Sequence, residues 1–253
     1  MLMHRVIPCL LLSDGGLVKT RKFKNPIYVG DPINAVRIFN DKEVDELVVL
    51  DIVASTKGLA PDFTLIEAIA SECFIPLAYG GGISTIEHVR TLFRLGVEKV
   101  ILNTALHVTP DLVKAVVCDY GSQAVVASID VKRKLFGRWE VTTCSGTKQT
   151  GWDPVEFSQY VAGLGVGEIL LTSIDNEGSM AGYDIALTST VSQAVNIPVI
   201  ASGGAGSLND LRDAILNGHA SAVAAGSMFV LYGPHRAVLI SYPEYSVLTE
   251  LLK

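Results

Sequence analysis

A carboxylate at the end of an apolar run is the first candidate for catalysis in this chain. Asp130 directly follows the run 124–129, which is typical of a buried strand. Burial at the end of such a strand raises the pKa of a carboxyl group towards the range used in general acid–base catalysis. The alternative is an ionised carboxylate that accepts hydrogen bonds from the following loop. Lys132 and Arg133 follow closely, and we favour the catalytic interpretation.

Two glycine-rich segments of the chain are versions of each other. Residues 75–84, IPLAYGGGIS, and residues 197–206, IPVIASGGAG, align without gaps at a spacing of 122 residues. In each segment a buried apolar strand is predicted to end in glycines that precede an amphipathic helix. Backbone N–H groups at such a turn bind phosphate, so two copies predict two phosphates. The predicted phosphate-binding glycines are Gly81, Gly82, Gly203 and Gly204.

The internal repeat extends beyond these glycines. Arg90 matches Arg212, and Gly96 matches Gly218, at the same spacing. A second turn of small residues follows in each half and is predicted to complete its phosphate site. These turns are Asn103-Thr104-Ala105 in the first half and Ala225-Gly226-Ser227 in the second. We therefore interpret the chain as a doubled half-domain.

The repeat also reveals a missing carboxylate. Aligning the first strand with the fifth places Cys9 on Ser128 and Leu11 on Asp130. An aliphatic side chain cannot transfer protons, so a site that uses one carboxylate from each half has lost one of them. The nearest replacement is Asp14, although Asp14-Gly15-Gly16 is more typical of a tight turn.

Short runs rich in Val, Ile and Leu alternate with helical patterns along the whole chain. Eight strands are predicted, at 5–12, 46–52, 75–79, 98–102, 123–130, 168–173, 197–202 and 220–225. Helix starts are predicted at Asp31-Pro32, Pro61-Asp62, Thr109-Pro110 and Asp153-Pro154. Eight strand–helix units predict an α/β fold, a (β/α)8 TIM barrel with internal half-barrel duplication, forming a single domain over residues 1–253. Residues 132–148 are predicted to form a hairpin inserted after the fifth strand.

Catalysis in such barrels takes place at the carboxyl ends of the strands. Polar residues predicted at these ends, and therefore expected to contact substrate, are Asp51, Thr172 and Asp175.

A cluster of cations follows the first predicted strand. Lys19, Arg21, Lys22 and Lys24 fall within six residues. Such a run is usually a solvated loop, but beside phosphate sites it is equally compatible with a lid that closes over an anionic substrate. Lys19 is then the best candidate for direct contact.

Four charged residues stand at predicted strand starts, at the opposite end of the barrel. They are Arg5, Glu46, Lys99 and Glu168. One interpretation is a network of salt bridges that plugs the barrel floor. The other is a gate through which a small polar molecule passes.

Composition excludes several other classes of protein. The 253 residues carry 26 Asp and Glu against 20 Lys and Arg, which argues against nucleic-acid binding by bulk charge. The N-terminal apolar run is too short to cross a membrane and lacks a cleavage pattern, so a cytoplasmic location without membrane attachment is expected. Four cysteines without C-x-x-C spacing, and five histidines without ligand spacing, predict no metal site. No cofactor is expected.

Nearly the whole chain resembles the cyclase subunit of imidazole glycerol phosphate synthase. The resemblance rests on motifs in a fixed order: RVIPCL from residue 5, DGGLVK from 14, DELVVLDIVAS from 45, GGGI from 80, NTA from 103, GSQAVV from 121, LLTSID from 170, GYD from 182 and IASGGAG from 200. It implies a (β/α)8 barrel that receives ammonia from a glutaminase subunit, in a heterodimer, at the strand-start face. It also implies a substrate with a phosphate at each end and assigns Arg5, Glu46, Lys99 and Glu168 to the ammonia gate.

The sequence departs from the family pattern at Leu11. The family uses one aspartate at this position and one at the position of Asp130. Glu177, a predicted substrate contact, stands where the histidine-pathway enzymes usually have Asp. The run 7–19 is similar to a divergent branch found beside sugar amidotransferases of bacterial surface-polysaccharide pathways, in which the barrel passes ammonia on for amidation of a sugar.

Three functions therefore compete. The first is an ammonia-conducting synthase subunit of the polysaccharide branch, with a sugar amidotransferase as a further partner. The second is the cyclase of histidine biosynthesis, which Leu11 disfavours. The third is a non-catalytic scaffold that binds phosphorylated metabolites, which the four gate charges disfavour.

Overall fold

The structure is a computed structural model that describes residues 4–134 and 137–252. Its strands are β1 (Arg5–Ser13), β2 (Gly16–Arg21), β3 (Lys24–Gly30), β4 (Leu47–Asp51), β5 (Leu77–Gly80), β6 (Lys99–Leu102), β7 (Val125–Arg133), β8 (Trp139–Thr143), β9 (Lys148–Gln149), β10 (Glu168–Ser173), β11 (Val199–Ser202), β12 (Ala222–Ala225), β13 (Leu231–Tyr232) and β14 (Ala237–Val238).

The helices are α1 (Pro32–Asp41), α2 (Ala54–Lys57), α3 (Phe63–Glu72), α4 (Ile86–Arg94), α5 (Thr104–Val108), α6 (Pro110–Tyr120), α7 (Pro154–Gly163), α8 (Ile185–Ser192), α9 (Leu208–Leu216), α10 (Ser227–Val230) and α11 (Tyr245–Leu251). Asp31, Asp62 and Asp153 cap α1, α3 and α7 by accepting a backbone N–H bond in the first turn, and Pro110 begins α6. These four predicted helix starts are confirmed.

Eight strands close into a parallel barrel. The order is β1, β4, β5, β6, β7, β10, β11 and β12, and β12 pairs again with β1. The predicted TIM barrel is confirmed, and each of the eight predicted strands is present. The predicted strands begin up to two residues early, because the apolar residues before β5, β11 and β12 belong to the approaching turns.

Antiparallel hairpins extend the first strand of each half above the barrel rim. After β7, the strands β8 and β9 form the predicted hairpin, although positions 135 and 136 within it lie outside the described residues. After β1, the strands β2 and β3 form a second hairpin where the cation-rich segment was interpreted as a loop. That interpretation was wrong because Leu17 and Val18 are buried and because Gly16 lies against the ring of Tyr28.

From β5 and β11 onward the two halves correspond through α4 and α9 to β6 and β12, with one shift in register. The spacing of 122 residues relates β5 to β11 and α4 to α9 at both ends. Exposed His219, at φ 54°, is an extra residue in the turn before β12. Val97 N–H bonds Leu92 O in the first half, and Ala220 N–H bonds Ala214 O in the second, so the spacing becomes 123 residues.

This extra residue corrects the alignment of the second small-residue turns. Asn103 and Gly226 precede α5 and α10 with nearly equal backbone angles, φ −119° and ψ −74° against φ −112° and ψ −69°. Asn103 is therefore equivalent to Gly226 rather than to Ala225. Thr104 is equivalent to Ser227.

The barrel interior forms a core separate from the one between strands and helices. It consists of Ile7, Cys9, Val48, Ala78, Ile101, Val126, Leu170, Ile200, Ala222 and Ala224. Within residues 4–134 and 137–252, no helix is long and apolar enough to cross a membrane.

Candidate active site

A cavity of about 370 Å³ opens at the carboxyl ends of the barrel strands. All eight strands contribute to its lining. Of the fifteen predicted catalytic and substrate-binding residues, the cavity is lined by Asp130, Lys19, Asp51, Gly81, Gly82, Asn103, Thr104, Thr172, Glu177, Gly203, Gly204, Ala225, Gly226 and Ser227. Asp175 does not line it and instead accepts a hydrogen bond from the N–H of Arg133 at 2.8 Å.

Glycine is required at the first turn because the chain approaches neighbouring backbone. Gly81 has φ 126° and Gly82 has φ 69°, and a Cβ on Gly81 would lie 2.6 Å from the carbonyl oxygen of Asp51. The turn therefore exposes main chain rather than side chains to the cavity. The hydroxyl of Thr104 lies beside it, within 3.2 Å of the hydroxyl of Thr143 on β8.

The second glycine turn has the same construction. Gly203 has φ 87° and Gly204 has φ 119°, and a Cβ on Gly203 would lie 2.7 Å from the carbonyl oxygen of Ser173. Ser227, the equivalent of Thr104, begins α10 and lines the cavity together with this turn. In TIM barrels the loops after the seventh and eighth strands, with a short extra helix, frequently bind phosphate.

Asp130 is buried at the end of its strand. Its Oδ2 accepts a hydrogen bond from Asn103 Nδ2 at 3.2 Å. The same amide donates to the carbonyl oxygen of Ser128 at 3.0 Å. Burial raises the pKa of Asp130 from 3.8 to about 7, which lets the carboxyl group both hold and release a proton near neutral pH.

The amine of Lys19 lies where the other half has the side-chain amide of Asn103. Its Nζ donates to the carbonyl oxygen of Cys9 at 2.8 Å, as Asn103 donates to that of Ser128. Gly226 makes room for it, because a Cβ there would collide with Nζ. Lys19 lies on β2 and is buried, whereas the neighbouring cations Arg21, Lys22 and Lys24 are exposed.

Leu11 lies where the other half has Asp130, as the strand registers confirm. Leu11 pairs with Leu50 on one side and Val18 on the other, and Asp130 pairs with Thr172 and Thr142. Leu11 and Leu50 present an apolar wall to the cavity. Asp14 does not replace the carboxylate, because it is exposed in a turn and forms an ion pair with Lys57 at 2.5 Å.

Glu177 fastens the β2–β3 hairpin to the loop that follows β10. Its carboxylate accepts from the hydroxyl of Thr20 at 2.9 Å and from the N–H of Phe23 at 3.0 Å. Its carbonyl oxygen accepts from the N–H of Lys22. The hairpin is therefore closed against the cavity, and both carboxylate oxygens of Glu177 are engaged.

Asp51 has a local structural partner. Its Oδ1 accepts the N–H groups of Val53 and Ala54, each at 2.9 Å, and so holds the start of α2. The side chain of Thr172 is buried in the cavity lining beside Asp130.

Four charges meet at the opposite end of the barrel, and we call them the ion ring. Arg5 lies 2.5 Å from Glu46 and 2.7 Å from Glu168. Lys99 lies 2.9 Å from Glu46 and 3.4 Å from Glu168. Each charge thus contacts both opposite charges. Within the described part of the chain, Glu46 Oε1 is buried without a hydrogen-bond partner.

The ion ring follows the internal symmetry only in part. Glu46 and Glu168 are equivalent at the spacing of 122 residues, but Lys99 is equivalent to Ala222. Arg5 pairs with Ala222 in the sheet and supplies the second cation from the neighbouring strand. Apolar side chains fill the barrel interior above the ion ring.

The ranges 4–134 and 137–252 contain no cluster of three His, Cys, Asp or Glu side chains that could hold a metal ion. Cys9, Cys73, Cys118 and Cys144 are all free thiols. Burial raises the pKa of Cys9 to about 11, so its thiol carries no charge at neutral pH.

A family model described as "Histidine biosynthesis protein" matches residues 5–234. The chain belongs to this family. A Pseudomonas aeruginosa protein, provisionally named imidazole glycerol phosphate synthase subunit hisF2, is 53% identical over 98% of this chain and 99% of its own. A Leptospira interrogans protein provisionally named as subunit HisF is 48% identical over 96% of both chains. A Vibrio vulnificus protein provisionally named as subunit hisF3 is 47% identical over 97% of this chain and 95% of its own.

Two residues that line or support the cavity of this histidine-biosynthesis family member were not predicted. Thr143 donates to Asn103 Oδ1 at 2.9 Å, and the hydroxyl of Ser145 bonds the carbonyl of Ile52 at 2.7 Å. Both lie on or beside β8, and their hydrogen bonds hold the loops that follow β6 and β4. The alternating pattern of the predicted hairpin indicated strands there, but it did not indicate which face the hairpin turns to the cavity.

Proposed function

We propose that the chain is an ammonia-conducting synthase subunit that delivers ammonia to a phosphorylated acceptor in the cavity. Its partner is a glutaminase subunit docked at the strand-start face, and the acceptor pathway is sugar amidation in surface-polysaccharide biosynthesis. The observation that carries the proposal is the ion ring at the strand-start end of the barrel, below an apolar interior and a cavity in which Leu11 replaces the counterpart of Asp130.

The ion ring supports passage of ammonia rather than a purely structural plug. A plug built for stability pairs every buried oxygen, because an unpaired buried acceptor costs about 1–3 kcal/mol. Glu46 Oε1 has no such partner among the described residues. Ammonia can donate a hydrogen bond to this oxygen as it passes the ring. The apolar barrel interior above the ring favours neutral ammonia over the ammonium ion.

The cavity supports an acceptor with phosphate at one or both ends. Both glycine turns expose main chain to the cavity, and Lys19 adds a buried amine beside the second. Leu11 and Leu50 make one wall of the cavity apolar, so the acceptor is expected to differ from the substrate of a cyclase with two aspartates.

Histidine-pathway cyclisation is the second candidate. The names of the relatives and the pKa of Asp130, about 7, favour it. The aliphatic Leu11 argues against it, since the second proton transfer lacks its carrier.

Inorganic phosphate is expected to bind at two sites, which calorimetry measures as a stoichiometry of two. Thr104→Asp and Ser227→Asp are each expected to remove one site, because a carboxylate beside the glycine turn repels the anion. Replacing the glycines themselves is a poorer test. A Cβ at Gly82 or Gly204 would collide with the carbonyl oxygen of Leu59 or Gly182 and disturb the fold.

Thr190→Asp is the matched control, since this threonine is exposed on α8, away from the cavity. It adds the same charge and is expected to leave both sites intact. Unchanged phosphate binding in the Thr104→Asp, Ser227→Asp double variant would contradict the assignment.

Reversing a charge of the ion ring is expected to impair glutamine-dependent ammonia transfer while phosphate binding persists. Lys99→Glu leaves three carboxylates around Arg5. This change is expected to block the passage of ammonia from the glutaminase into the barrel. The measurements are ammonia transfer in the complex with the glutaminase and phosphate calorimetry on the free chain. A stability loss on the order of 3–5 kcal/mol accompanies a broken buried pair and is measured alongside.

Lys114→Glu reverses an exposed charge on α6 and serves as the control. The Lys99→Glu, Glu168→Lys double variant exchanges the two charges and is expected to restore part of the stability. Equal loss of phosphate binding and transfer in Lys99→Glu would mean that the ring only supports the fold.

A further inference from the structure

Lys19 combines a buried amine with access to the cavity. The residue is 5% exposed and lines the cavity beside Gly226. Its Nζ has one acceptor, the carbonyl oxygen of Cys9. Across residues 4–134 and 137–252, no carboxylate forms an ion pair with it.

The internal symmetry explains why the amine is unpaired. Asn103 Nδ2 has two acceptors, the carbonyl oxygen of Ser128 and the carboxylate of Asp130. Lys19 Nζ has the equivalent of the first, Cys9 O, whereas Leu11 stands in place of the second. Leu11 therefore removes a proton carrier and also leaves a buried lysine without its counter-charge.

An unpaired buried amine favours its neutral form. Burial lowers the pKa of Lys19, while the neighbouring thiol of Cys9 and the carboxylate of Glu177 act in the opposite direction. Glu177 binds Thr20 and Phe23 with its two oxygens and does not reach the amine within ion-pair distance. A neutral lysine in a water-poor pocket is a nucleophile towards carbonyl carbon.

We propose that Lys19 Nζ forms an imine with the carbonyl carbon of a phosphorylated sugar bound in the cavity. The proposal rests on the proposed function, because the phosphate sites hold the sugar. Nζ adds to the carbonyl carbon, and one of its protons moves to the carbonyl oxygen. The resulting hydroxyl takes a second proton and leaves as water, and the remaining proton of Nζ replaces the one donated. Asp130, which lines the same cavity and is protonated below about pH 7, supplies a proton to the departing hydroxyl.

The imine also gives ammonia a better acceptor than the free carbonyl. Ammonia adds to the imine carbon, and the carbon–Nζ bond breaks after proton transfer to Nζ. The products are the imine of ammonia on the sugar and the regenerated lysine amine. Neither step requires an oxidant or reductant.

Reductive trapping tests the imine. The full chain is incubated with ribulose 5-phosphate and sodium borohydride, and peptide mass spectrometry measures adduct formation at each lysine. Adduct is expected at Lys19 faster than at the exposed Lys148. Lys19→Met is expected to abolish the fast phase.

Leu11→Asp gives the sharper test. The new carboxylate is placed to pair with Nζ, as Asp130 pairs with Asn103, and each unit by which it raises the pKa of the amine lowers the neutral fraction tenfold. Trapping at Lys19 is expected to slow by about tenfold or more. Leu11→Asn, of the same size but uncharged, is expected to retain most of the rate.

Trapping at Lys19 no faster than at Lys148 overturns the proposal, as does trapping that Leu11→Asp leaves unchanged. Phosphate calorimetry on the same preparation separates the two hypotheses. Two bound phosphates without trapping overturn the imine alone, whereas absence of bound phosphate overturns the phosphorylated acceptor as well.

Discussion

Leu11→Asp is expected to raise the rate at which the purified chain converts the histidine-pathway intermediate in the presence of ammonium salt. The cavity retains Asp130 with a pKa of about 7, so one proton transfer has its carrier. Leu11 cannot carry the second, and the loss of one general acid or base costs on the order of 10²–10⁴ in rate. We expect recovery of a part of that factor, measured as turnover of the intermediate.

Leu11→Asn is the matched control because it has the shape of aspartate without a transferable proton, and no gain is expected from it. Turnover by the unmodified chain at about 1 s⁻¹ or faster, a rate typical of metabolic enzymes, would return the protein to histidine biosynthesis. No gain from Leu11→Asp would mean that the cavity has diverged at other positions too.

Asp130→Asn is expected to make the folded chain less sensitive to pH. The pKa of Asp130 is about 7 in the folded chain against 3.8 for the exposed group, so unfolding releases its proton between about pH 4 and pH 7. Stability of the unmodified chain therefore falls as pH rises through this window, by up to about 4 kcal/mol, and is lowest once the buried carboxylate is ionised. Asp130→Asn has no carboxyl group at this position, so its stability is expected not to fall with pH in this way. Urea unfolding at pH 5 and pH 8 measures it.

Asp14→Asn is the control for that measurement. Asp14 is exposed, and the hydrogen bond and charge of Lys57 lower its pKa, so its contribution to the pH dependence has the opposite sign. If Asp130→Asn leaves the pH dependence of stability unchanged, the pKa of Asp130 in the folded chain is not raised, which would contradict the prediction. Asp130→Asn is also expected to lose ammonia transfer, if Asp130 carries a proton in that reaction.

The fold was predictable because apolar runs typical of buried strands alternate regularly with helical patterns whose starts are marked by Asp and Pro. Eight strands and four helix starts follow from local patterns that tertiary contacts do not override. Arg5, Glu46, Lys99 and Glu168 were grouped by one rule, that strand starts in a parallel barrel share a face. The structure brings these four side chains into contact.

The burial of Lys19 was beyond sequence reasoning for a physical reason. Four cations in six residues are typical of a solvated segment, and only the pairing of β2 with β1 turns one of them inward. The space it fills depends on Gly226, which is remote in sequence. The register of the second small-residue turn was also undetermined, because Ala225, Gly226 and Ser227 are all small enough to match Asn103 or Thr104.

The extra residue at His219 has a consequence for engineering. Its additional length is absorbed in the turn at the strand-start face, and the backbone angles that precede α5 and α10 stay the same. The extra residue below thus leaves the backbone conformation at the start of the rim helix unchanged. A fluorophore or a short linker placed beside His219 would lie at the face where we propose that a glutaminase docks, away from the cavity, and the equivalent turn at Gly96 offers a second attachment point.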